Sequence, residues 1–153
     1  MTITADKVGR DLHITLEGVP DPFVIRPLPG RAGLQMTDTY LQFSGGNTTA
    51  DMLAALQIAV DGARQNALTG VWEPLPEAEQ TNYNRIGNEL SQEEGNDILM
   101  PAFFWQTALG MDGVRQYIEG GGGLTGTLKA TGALAARLGR LAPRTSPKAS
   151  ATD

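Results

Sequence analysis

No cysteine occurs in the 153 residues. Disulfides and thiolate metal sites are therefore excluded. Histidine is almost as scarce. His13 is the only one, which rules out sites built from several imidazoles. No apolar run approaches the roughly 20 residues that span a bilayer. The opening stretch MTITADKVGRDLHITL has no apolar core followed by a small-residue cleavage site, so it does not read as a secretory signal. The expectation is a soluble intracellular protein. Catalytic signatures are missing too. There is no G-x-S-x-G elbow and no glycine-rich run ending in Lys-Ser or Lys-Thr.

Basic residues are few and unevenly placed. Residues 1–119 hold 7 Lys/Arg against 16 Asp/Glu, a net of −9. Residues 120–153 hold 5 against 1, a net of +4. An acidic body repels nucleic acid, and a basic tail weakly attracts an acidic partner. The length suits one domain. It divides into a body of residues 1–120 and a Gly/Ala-rich basic tail of residues 121–153.

What the chain does have is concentrated in Ser91–Gly120, which holds the aromatic cluster Phe103, Phe104 and Trp105. Ser91 with Glu94 fits a capping box, in which each side chain satisfies a backbone N–H at a helix start. Ile98, Ala102, Trp105 and Leu109 recur at helical spacing on one face. Leu99 and Phe103 widen that face, so burial against more than one neighbour is expected. Pro101 predicts a kink or a restart. Asp112 is a candidate cap for a second, short helix whose apolar side is Val114, Tyr117 and Ile118, and Gly120 ends it.

Upstream, Leu12–Glu17 alternates apolar and polar residues, the pattern of a half-buried strand. Phe23–Arg26 is a second strand, stopped by Pro27 and Pro29. Turn residues between them complete an N-terminal β-hairpin. Such a hairpin must pack on helices or on another chain. Helices are predicted over Gly30–Ser44, from Thr48 or Thr49 onward, and over Glu77–Leu90. Asn66–Pro76 is a connector. The fold class is mainly α with an N-terminal β-hairpin, a small helical bundle with a flexible C-terminal tail. In that tail Leu124, Leu128, Leu134, Leu138 and Leu141 make a rough helical stripe. Gly126, Gly132 and Gly139 each cost a helix about 1 kcal/mol relative to alanine. A conditional or loosely docked helix is expected there, with disorder after about Pro143.

Candidate sites reduce to surfaces. Gly121, Gly123 and Gly126 satisfy G-x-G-x-x-G formally. A helix precedes them and no acidic residue follows until Asp153, so they read as a linker and not as a dinucleotide fingerprint. Glu93, Glu94 and Asp97 are better explained by the helix dipole than by a cation. No catalytic, cofactor or metal residue is expected. Three consecutive aromatics span about 200° of a helix surface. A helix packed on one side buries little more than 100°. Trp105 and Phe103 continue apolar stripes, which leaves Phe104 as the partner-facing aromatic. Phe103, Trp105 and Tyr117 join it as candidate partner-binding residues.

The order of parts resembles the tail assembly chaperones of long-tailed phages that infect actinobacteria. A hairpin ends in a proline-containing segment (FVIRPLPGRAGLQM). An aromatic-rich helix (PAFFWQTALG) and a short helix ending in an aromatic and glycines (MDGVRQYIEGGGG) follow. The resemblance covers residues 12–123. It implies a non-enzymatic protein of the host cytoplasm, made during infection and absent from the mature virion. It implies the tape measure protein and the tail tube protein as partners. Self-association is a separate expectation, and the acidic body and the lack of a spanning run point away from nucleic acid and membrane. It also implies a second, longer product made by programmed ribosomal frameshifting. The rival expectation is a structural virion component, such as a minor tail or head–tail connector protein.

Overall fold

The structure, a computed structural model, describes residues 2–43 and 49–141. Ile3–Val8 (β1) and Asp11–Leu16 (β2) form an antiparallel hairpin in which Val8 faces Asp11. Gly9, with φ at +64°, stands at the first position of the two-residue turn, where a side chain would be strained. Phe23–Ile25 (β3) pairs antiparallel with β2, so the sheet order is β1-β2-β3. The expected pairing of β2 with β3 is present. The extra strand β1 carries apolar residues only at Ile3, Ala5 and Val8, and Val8 is exposed. It therefore lacked the alternation that marks β2.

Helices follow at Gly30–Phe43 (α1), Thr49–Asp61 (α2), Thr81–Glu89 (α3), Gln92–Gln106 (α4), Met111–Glu119 (α5) and Gly123–Leu141 (α6). The connector is more regular than expected. Ala63–Gln65 (β4) and Trp72–Pro74 (β5) form a second small hairpin, and Glu77–Glu79 is a single 3-10 turn before α3. Thr48, one of the two expected caps for α2, lies outside the described residues, as do residues 142–153.

The molecule is built around α4, which touches every other helix and β2. Its start follows the sequence expectation. The Glu94 amide donates to Ser91 Oγ at 3.1 Å, and the Ser91 amide donates to Glu94 Oε1 at 2.8 Å. Pro101 lies inside one continuous helix, so the expected restart does not occur. Two buried clusters meet on this helix. Leu12, Ile14, Leu16, Phe23 and Ile25 of the sheet pack with Val60, Ile86, Val114 and the α4 side chains Ile98, Ala102 and Trp105. Phe103 and Phe104 belong instead to a cluster with Met36, Ala55, Ile58, Ala59, Leu109, Tyr117, Ala130 and Leu134.

Buried polar side chains stitch these layers together. Gln106 Nε2 donates to the carbonyls of Arg26 at 2.8 Å and Ala59 at 3.0 Å, while its Oε1 accepts from the Leu28 amide at 3.0 Å. The carboxylate of Asp61, at the end of α2, accepts from the Asn82 and Tyr83 amides and so caps α3. Burial raises the Asp61 pKa above its ordinary value, while those two bonds oppose the rise.

Two expectations need correction. Asp112 does not cap α5. Gly110 holds that position with φ at +58°, and the Asp112 carboxylate pairs with Arg115 and Arg137 instead. Gly121, Gly123 and Gly126 are not a continuous linker, because α6 begins at Gly123. Gly121, Gly122 and Gly123 all take positive φ in a tight turn that returns the chain onto α5. A Cβ at Gly126 would overlap the Tyr117 carbonyl, so α5 and α6 approach as closely as they do only because glycine is there.

Candidate binding surface

The structure buries all four aromatics that the sequence assigned to a partner surface. Phe103, Phe104 and Tyr117 are 0% exposed and Trp105 is 9% exposed. Phe104 is therefore not the outward-facing member. The angular argument assumed a helix covered on one side, whereas α4 is covered on opposite sides by two clusters. The Phe104 ring meets Phe103 edge-on at 5.5 Å and Tyr40 at 5.7 Å, in the geometry that aromatic quadrupoles favour.

Tyr117 has a polar role as well. Its hydroxyl donates to Asp97 Oδ1 at 2.6 Å and accepts from the Gly123 amide at 2.9 Å. Burial, and then the adjacent Asp97 carboxylate, push its pKa well above the usual tyrosine value. The hydroxyl therefore stays neutral and joins α4, α5 and the start of α6. The acidic group Glu93, Glu94 and Asp97 divides accordingly. Glu94 caps α4, Asp97 holds Tyr117, and Glu93 is exposed. Among the described residues no group of three or more His, Cys, Asp or Glu side chains is placed to hold a metal ion. His13 is half-buried on β2, between Asp6 and Val24 in register.

The exposed apolar residues lie elsewhere. On α1, Leu34 is 70% and Leu41 48% exposed; on α6, Leu124 is 75% and Leu128 63% exposed. Tyr40 and Thr131 share a hydrogen bond between their hydroxyls, while Leu34 and Leu138 line one groove. These two points of approach run in opposite chain order on the two helices. That groove measures about 320 Å³ and is floored by Thr107 and Ala108.

By helical spacing Leu34 and Leu41 share one side of α1 and Met36 and Tyr40 another. Both sides are apolar, so spacing alone does not say which faces in. The structure turns Met36 inward, 1% exposed. A further exposed leucine, Leu68, sits at the tip of the β4–β5 hairpin. Asn66 Oδ1 accepts there from the Leu68 and Thr69 amides. Among the described residues no helix is long and apolar enough to cross a membrane. No protein-family model, no curated protein and no solved structure matches the chain.

Proposed function

We propose that the chain is a non-enzymatic tail assembly chaperone of a long-tailed phage. It acts in the host cytoplasm by reversible apolar binding to the tape measure protein, and it helps the tail tube protein assemble on that scaffold. The observation that carries the reading is the set of exposed leucines on α1 and α6, of which Leu34 lines an open groove, on a body of net negative charge. Leucines displayed on helices bind apolar segments of a partner, and the surrounding charge keeps the complex in solution. The likeness in order of parts over residues 12–123 supports the choice of family.

Copurification with the tape measure protein of the same phage tests this. Because Leu34 and Leu128 are exposed, the double variant Leu34→Ser/Leu128→Ser is expected to melt like the parent. It should retain roughly a tenth or less of the binding, as loss of apolar anchors does. Purified particles should lack the chain. Its presence there in fixed copy number, or no association with the tape measure protein, would sink the proposal in favour of a structural virion component.

A further inference from the structure

We propose that α6 is a detachable strap, a unit that unfolds and leaves the body while α4 stays folded, and that its release opens the cluster holding Met36, Phe103, Phe104 and Tyr117. Four observations converge on this. The helix contains Gly126 and Gly132 within its described span, and an isolated helix of this composition is poor. It holds its shape because it is docked. Among its residues 123–138, α6 buries Gly126, Ala130 and Leu134, whereas α4 buries nine residues. Ala133 and Leu138 add partly buried apolar contacts, and its polar attachments point to separate elements. Thr131 bonds Tyr40 of α1, the Gly123 amide bonds the Tyr117 hydroxyl, Lys129 reaches Glu119, and Arg137 reaches Asp112 and the Ala108 carbonyl. Water replaces such bonds readily once the helix lifts. Finally, the chain enters α6 through three successive glycines, a joint that can reorient with no side chain to obstruct it.

The strap differs from a loose tail. Closed, it is packed tightly enough that Gly126 tolerates no side chain. Open, it exposes apolar surface that the rest of the fold keeps assembled around α4. The closed and open states are thus two populations of one folded body.

Backbone amide exchange on the full chain tests the idea. Amides of α6 between residues 126 and 138 are expected to exchange as one block, about tenfold or more faster than those of α4. Two variants should move that block in opposite directions. Gly126→Ala places a methyl against the Tyr117 carbonyl and should strip protection from α6 alone. Gly132→Ala points into open space and should slow exchange of the block by about fivefold, the helix-propensity difference. The strap is overturned if α6 and α4 exchange together in the parent chain. It is equally overturned if Gly126→Ala removes the protection of α4 as fully as that of α6.

Discussion

Phe104 and Leu68 are the extremes of what a large apolar side chain does in this fold. Phe104 is 0% exposed, with its ring set against two others, and Leu68 is 97% exposed at a hairpin tip. Truncating Phe104 to alanine should lower stability by about 3–5 kcal/mol, the loss of burial plus the cavity left behind. Leu68→Asp should change it by less than about 0.5 kcal/mol, as surface substitutions do. Urea titrations of the two variants separate the effects. A mild Phe104→Ala would mean that the site collapses around the gap. Sequence periodicity alone did not distinguish these residues. It counts directions around a helix, and it needs to know how many neighbours that helix has. Ile98, Ala102 and Trp105 share a stripe as expected because one side of α4 faces the sheet, but Leu109, expected to extend it, lies past the end of α4 and packs in the second cluster. Phe104 was misplaced because the opposite stripe faces a second cluster.

At the level of elements, local chemistry was legible and tertiary chemistry was not. The Ser91–Glu94 box involves residues three apart and is written in the sequence. Ser91→Ala should lose about 1 kcal/mol, the usual value of such a cap, visible as a shift in a denaturant midpoint without a change in slope. The Arg85 clamp joins α3 to the loop between β2 and β3, and no spacing announces it. Its guanidinium donates to the carbonyls of Pro20 at 2.6 Å, Asp21 at 2.7 Å and Pro22 at 3.1 Å, and lies 3.8 Å above the Phe23 ring. It holds a loop in which Asp21 takes φ of +67°. Arg85→Ala should destabilise by about 1–3 kcal/mol, the range for bonds to a charged group. Arg85→Lys should recover less than half, because an ammonium has no planar fork. Thermal melts of the pair decide it, and full recovery by lysine would reduce the clamp to a point charge. The glycine run misled for a related reason. Out of context GGGG is a linker, and only the neighbouring Tyr117 turns it into a joint.

Across the whole molecule, Tyr117 links stability to alkaline pH. Its proton is held more tightly in the folded chain than at the ordinary value of 10.0. Stability from this group is therefore complete below about pH 10 and is lost as pH rises through the folded value. Tyr117→Phe should be less stable near neutrality by about 1–3 kcal/mol, because Asp97 loses its partner. It should also show a shallower decline above about pH 10. Melting temperature against pH measures both, and parallel alkaline limbs for the two proteins would contradict the assignment. The central position of α4 has a consequence in time as well. A ribosome delivers the sheet and helices α1 to α3 before it delivers the helix they all rest on. Until Gln106 emerges, the apolar face of Leu12, Ile14 and Leu16 lacks the Ile98, Ala102 and Trp105 side chains that complete its cover. The nascent first half is therefore the stretch most exposed to premature association with other chains, and its folding waits on the arrival of a segment two-thirds of the way along.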